Sequence, residues 1–408
     1  MSAAVDVGVE DEAELRRYWP AVLACFFTAV FAWGFGFSGT SVYLAELHRL
    51  RGWSRGLIGA AITTYYLGGA ACMVLIHVAL RRLGPARLLA AGTVLLGLGA
   101  TLFSRSGHPW QLFAAAATMA VGWAGCTTAA IPTALAMYFE RQRGLAISLA
   151  LNGASAAGFT VGPILLVLSQ RVGVGDAVSL AVLAVLAVIL PMIWLGLRRP
   201  PQPPCPTAKP DTAISVDRQM QQGWRFWSLA LSFALALAAQ VGLIVHLVSF
   251  LLPHIGTDGA ATGLAAVSIS AISGRLALAT VIDRLPQRLA SAASFATQAA
   301  GLSLLLLFPD QASALYVGCI IFGLSVGNVI TFPALIVQRE FSADAFGRAI
   351  GVSTAVSQFT FALAPAFFGI IRDLTAGYPA VLLVCIALQL SAAFVVLVGV
   401  RSANPSPA

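Results

Sequence analysis

Arg275 and His246 stand inside stretches otherwise too apolar to hold a charge. Ser268, Ala271 and Arg275 follow one another at helical spacing, so they share one face. Arg275 lies about 8 residues, roughly 12 Å, from the helix end that Asp283 marks. A guanidinium at that depth calls for an anion, yet Glu46, Glu140, Asp283 and Asp373 all fall near the ends of apolar runs. A bound carboxylate would supply the missing charge through a two-pronged contact, which makes Arg275 a substrate anchor. The competing reading is an arginine that snorkels toward the adjoining loop.

His246 lies about 7 residues, roughly 10 Å, from Pro253 at the other end of its helix. An unperturbed imidazole titrates near neutrality, so His246 could carry a proton or donate to a carboxylate oxygen; otherwise a neighbouring helix satisfies it. Along the membrane normal the two groups are separated by about 8 Å, a gap suited to a small ligand near the midplane. Gln240, Asn152, Asn328, Gln358, Tyr65, Tyr66 and Trp33 also fall within spans, where helix-packing hydrogen bonds or interfacial rings are the ordinary explanation.

The elements that must carry these groups are membrane helices. Hydrophobic residues make up 59% of the 408-residue chain and charged ones 10%, which excludes a soluble domain. Stretches of about 20 apolar residues, enough to cross about 30 Å of hydrocarbon, recur twelve times. They are expected at 18–46, 54–80, 86–104, 110–139, 142–169, 176–197, 225–252, 258–283, 288–308, 311–338, 344–371 and 378–400.

The net charge of +8 is scattered over loops, so it speaks for membrane topology and not for nucleic acid. With the N-terminus inside, cytoplasmic segments carry 17 Lys and Arg against 6 outside, which predicts that both termini are cytoplasmic. The six cysteines form no close pair, and the histidines are scattered, so no disulfide, metal site, cofactor or enzyme centre is indicated. Acidic residues before Arg16 and Arg17 speak against a cleaved signal peptide.

Residues 198–224 form the only long proline-rich polar break and read as a linker. The expected organisation is a cytoplasmic tail (1–17), a six-helix bundle (18–197), the linker (198–224), a second bundle (225–400) and a short tail (401–408). Gly122 and Gly323, Pro132 and Pro333, Arg82 and Arg284, and Pro163 and Pro365 repeat at offsets of 201 to 202 residues, the sign of two related halves.

Several motifs carry a family resemblance. Gly274-Arg275 through Asp283-Arg284 resembles the cytoplasmic loop signature of the major facilitator superfamily; in the first half Arg81 stands where that signature has Asp, beside Arg82. Arg143-Gly144-Leu145-Ala146, Asn152-Gly153 and Gly162-Pro163 resemble the bacterial monocarboxylate porter and oxalate/formate antiporter group, as do Gln240 to His246-Leu247 and the run from Phe346 through Pro365 to Arg372-Asp373 and Gly377-Tyr378.

The resemblance implies an all-α fold of twelve transmembrane helices in two pseudo-symmetric six-helix bundles. It implies transport of a small organic anion, a monocarboxylate, across a bacterial inner membrane, with a proton or a counter-anion as partner and the chain acting as a monomer. Arg275 falls where that group carries a substrate-binding arginine, and His246 where bacterial members carry a histidine. Asn152, Tyr66 and Gln358 join them because helices 2, 5, 8 and 11 flank the cavity in that fold. Asp283, Arg284 and Arg82 are the implied gating residues. Ala271 replaces an acidic residue common in the group, and Ser38 or a neighbour replaces a lysine. Efflux of a hydrophobic or drug-like compound is the alternative.

Overall fold

The computed structural model describes residues 2–73, 75–127, 130–139, 142–197, 223–279, 285–341 and 343–401. Asp283, Arg284, Glu140 and the linker core, 198–222, lie outside the described residues. Among the described residues every regular element is helical: α1 (Ser2–Trp33), a π-helical turn (Gly34–Ser38), α2 (Gly39–Arg51), α3 (Arg55–Met73), α4 (Ile76–Arg105), α5 (Pro109–Cys126) and α6 (Ala130–Leu135). They are followed by α7 (Arg143–Val172), α8 (Val174–Leu197), α9 (Trp224–Ala279), α10 (Gln287–Leu307), α11 (Ala312–Glu340), α12 (Ala343–Thr375) and α13 (Pro379–Arg401).

Eleven of the described stretches are long and apolar enough to cross a membrane. One of them, Trp224–Leu278, has 55 residues, far more than one crossing needs. It bends at Gly256, whose φ of +68° only glycine adopts at little cost, so α9 provides two limbs and the total is twelve spans.

The boundaries differ from the sequence expectation where side chains compete with the helix ladder. The span expected at 110–139 is found at Pro109–Leu135, but it is made of two helices, α5 ending at Cys126 and α6 starting at Ala130: Cys126 Sγ reaches the Gly122 carbonyl at 3.1 Å and Thr127 Oγ1 donates to the Trp123 carbonyl at 2.6 Å where the backbone leaves α5. Its start follows the expected rule: Pro109 takes the first helical position and Gln111 Oε1 accepts from the Gly107 and His108 N–H groups at 2.8 and 3.2 Å.

The first span widens into the π turn at Gly34–Ser38, a register that sequence periodicity does not show. Tyrosines meet the carbonyls there: Tyr43 Oη donates to Phe35 at 3.1 Å and Tyr66 Oη to Gly36 at 3.4 Å.

The described helices fall into two units. The first comprises Met1–Arg51 and Thr64–Thr207, with α1 packed on α7 and α8 and α4 on α5 and α8. The second comprises Gly52–Thr63 and Ala208–Ala408, so the first turns of α3 pack within it. In the second unit α9 packs on α11, α12 and α13 around Phe226, Leu229, Phe233, Phe295, Phe332 and Ile336. An amide chain ties that core together: Gln389 Nε2 donates to Gln298 Oε1 at 2.6 Å, and Gln298 Nε2 to Gln240 Oε1 at 2.8 Å. Gln240 is thus a packing residue, satisfied by its neighbours where hydrocarbon offers no water.

Candidate functional site

Arg275 sits on the second limb of α9, half-buried. Its guanidinium lies over Gly327 of α11, so that a Cβ added there would stand 2.9 Å from Arg275 Nε and 3.0 Å from Nη2. One residue earlier, Gly274 faces the Leu324 carbonyl of the same helix. Small residues on both helices therefore let the backbones close up and leave a guanidinium-sized space beside Gly327. Ser268 spends its hydroxyl locally, donating to the Leu264 carbonyl at 3.2 Å, and Asn328 Nδ2 donates to the Leu324 carbonyl at 3.3 Å.

His246 lies on the first limb of α9 and is fully buried. Nε2 is 3.2 Å from the Pro365 carbonyl and Nδ1 is 3.5 Å from Tyr378 Oη. Since a carbonyl can only accept, the neutral tautomer that satisfies both donates from Nε2 and accepts at Nδ1 from the phenol. The imidazole thus belongs to a cluster about Tyr378. The guanidinium carbons of Arg55 and Arg372 each stand 5.8 Å from that ring's centroid, and Phe250 meets it edge-on at 5.7 Å. Asp373 caps α3, accepting from the Arg55 and Gly56 N–H groups at 3.3 and 2.6 Å. The sequence placed Asp373 near a helix end and within the run Arg372-Asp373 to Gly377-Tyr378, but not as the cap of α3.

The remaining candidates are spread over both units. Tyr66, in the first unit, is buried, stacks on Tyr65 at 4.7 Å and reaches the π turn, while Trp33 and Trp123 pair at 5.2 Å beside it. Asn152 on α7 is exposed, and Gln358 on α12 is half-buried. Arg82 is exposed on the short limb of α4 before the Gly84-Pro85 bend.

Two buried ionic groups escaped the sequence reading. Glu46, expected near an end, is fully buried: Oε1 accepts from Gln170 Nε2 and Oε2 from Arg49 Nη2, both at 2.6 Å. Arg288 grips Glu340 with two hydrogen bonds, Nε to Oε1 at 2.7 Å and Nη2 to Oε2 at 2.9 Å. Its other hydrogens go to Ser228 Oγ and to the Val396 and Arg225 carbonyls, and Arg225 Nε adds a bond to Glu340 at 2.9 Å. Both partners stand at the ends of expected spans, where charge normally reads as anchoring alone.

Twelve apolar spans with polar groups set inside two helical units define a polytopic membrane carrier. The model of the Major Facilitator Superfamily matches residues 23–365, and the chain belongs to that superfamily. It is a membrane transporter and not an enzyme. Monocarboxylate transporter 11 of Homo sapiens is 26% identical over 343 residues, 80% of this chain and 70% of that protein. The uncharacterised MFS-type transporter YcxA of Bacillus subtilis is 25% identical over 272 residues, covering 62% of this chain and 63% of its own length. Among solved structures, a bacterial homologue of the human lysosomal transporter Spinster superposes with a TM-score of 0.72 at 16% identity, covering 95% of this chain and 98% of that one. The nucleoside transporter NupG superposes with a TM-score of 0.74 at 12% identity, over 93% of this chain and 99% of its own. These two share the fold.

Proposed function

We propose that this chain is a secondary transporter that moves a small organic anion, a monocarboxylate, by alternating access with proton coupling or exchange. The observation that carries the reading is Arg275, a guanidinium well inside the second limb of α9, in the space that Gly327 leaves free. A planar fork held by helix packing suits bidentate recognition of a carboxylate. The likeness to a protein named monocarboxylate transporter 11 supports the same chemistry. Tyr66, Asn152 and Gln358 are further proposed substrate-binding residues, Tyr66 beside an aromatic wall suited to a substrate's apolar body. Asp283, Arg284 and Arg82 are the proposed gating residues at the cytoplasmic ends of a carrier in an inner membrane, with both termini in the cytoplasm, an orientation that the bias in Lys and Arg supports.

The direct test is uptake into proteoliposomes of lactate, pyruvate, oxalate, formate and aromatic acids, with and without a pH gradient. Saturable uptake of at least one carboxylate is expected. Transport of neutral or cationic compounds with none of the acids would remove the reading.

His246 is the proposed pH-responsive group. Protonation would turn Nδ1 from acceptor to donor and force Tyr378 to reorient, and with it the Arg55, Arg372 and Asp373 groups that face the imidazole. His246→Gln is expected to flatten the pH profile of uptake while the protein stays folded. An unaltered profile, measured alongside a normal melting curve, would take His246 out of the coupling mechanism.

A further inference from the structure

A charged cavity lies in the second unit, at the rim where α9 bends, α10 ends and α12 turns into α13. Its volume is about 300 Å³, at the lower bound of cavities that hold small molecules, about 300–1,000 Å³. Arg55, Arg372 and Tyr378 line it, each guanidinium carbon standing 5.8 Å from the centre of the Tyr378 ring. Leu305, Leu306, Leu382 and Phe250 add apolar wall.

The charges in this cavity do not balance. Two guanidiniums share one neighbouring carboxylate, and Asp373 directs its oxygens at the backbone N–H groups of Arg55 and Gly56, standing 4.0 Å from Arg372 Nη1. His254, also on the wall, faces the exposed Asp310 at 3.6 Å. Arg55 is 8% exposed, and its Nε and Nη1, like Arg372 Nε, make no hydrogen bond among the described residues. Donors that are both buried and charged cost several kcal/mol to leave without acceptors.

We propose that this cavity is a second binding site, for an organic monocarboxylate with an apolar body. The carboxylate lies between Arg55 and Arg372, and the apolar part rests on Leu305, Leu306 and Leu382. The Nε and Nη1 hydrogens of Arg55 and the Nε hydrogen of Arg372 match a carboxylate's lone pairs, and the leucine wall excludes strongly hydrated anions such as phosphate. The site does not depend on Arg275. In the orientation proposed above it faces the external side, where it would collect the acid before or after transport.

The test is equilibrium binding of radiolabelled benzoate to the full chain in phosphatidylcholine nanodiscs, made with Arg275→Ala so that binding at the transport anchor is removed. Saturable binding is expected to persist in that protein, to be displaced by unlabelled benzoate, and to be untouched by benzamide or inorganic phosphate. Arg372→Gln and Arg55→Gln, each added to Arg275→Ala, are expected to weaken it at least about tenfold. Leu306→Trp leaves both arginines in place but fills the apolar half, and should weaken binding similarly, so the proposal stays testable if Arg55→Gln does not fold. The assignment is overturned by any of three results: no benzoate binding once Arg275 is gone, binding indifferent to Arg372→Gln and Leu306→Trp, or displacement by phosphate as readily as by benzoate. Loss of uptake in Arg275→Ala beside retained benzoate binding would uphold both sites separately.

Discussion

Arg275→Ala is expected to abolish uptake of small carboxylates while yielding a protein that still purifies as a single folded species. The helix contact behind it survives the change, since Gly274 still meets the Leu324 carbonyl and α9 still packs on α11. Arg275→Lys keeps the charge but loses the planar fork, so it should transport poorly rather than normally. A carboxylate that binds the folded wild type should raise its melting temperature; at a ligand concentration 100 times Kd the stabilisation is about 2.7 kcal/mol, and the alanine variant should lose the part owed to the anchor.

Gly327→Ala is the companion test, because it acts on the arginine from the facing helix. The new methyl group would stand 2.9 Å from both Arg275 Nε and the Ala271 carbonyl. The guanidinium can swing aside but the carbonyl cannot, so uptake should fall and stability should drop by about 1–3 kcal/mol. Wild-type uptake rates in Arg275→Ala would make Arg275 a snorkelling residue and remove the main physical support for a carboxylate substrate.

How much of this was legible beforehand follows from which interactions leave a trace in local sequence. Apolar runs of span length are local, so the twelve crossings could be read directly, and the loop signature around Asp283-Arg284 pointed to the superfamily. The π turn at Gly34–Ser38 could not, because a register shift of one hydrogen bond leaves hydrophobic periodicity almost unchanged. Nor could the early end of α5, which depends on where Thr127 and Cys126 send their side-chain hydrogens. For the site, residue type and depth singled out Arg275 and His246. What the sequence withheld was their surroundings: 119 residues separate His246 from the Pro365 carbonyl that holds it, and 317 separate Gly56 from the Asp373 carboxylate that caps its helix. Pairings at that separation appear only when the chain is folded, and for that reason the Arg55–Arg372 cavity had no counterpart in the sequence reading.

The Arg288–Glu340 pair should be the most sensitive point of the second unit's stability. Arg288 has 4% of its side chain exposed and Glu340 has 16%, so removing either partner strands the other charge out of water. Arg288→Ala or Glu340→Ala is expected to cost about 3–5 kcal/mol, seen as a large fall in the melting temperature of the purified protein. Burial alone would raise the Glu340 carboxyl, but the hydrogen bonds and charge of Arg288, then of Arg225, outweigh it and hold the group below its usual range. A depressed carboxylate contributes stability that is complete above its unfolded value, near about 4.3, and that is lost as the pH falls through the lower folded value. Wild type should therefore lose stability on acidification in that window, and Glu340→Gln should lose the corresponding slope. Arg288→Met combined with Glu340→Leu should recover part of what either alanine variant loses, because two apolar side chains leave no buried charge. Recovery should be incomplete, since the Val396 and Arg225 carbonyls then lack a donor at about 1 kcal/mol each. Single variants that melt within about 1 kcal/mol of wild type would show that the pair is solvated like a surface ion pair and does not hold the unit together.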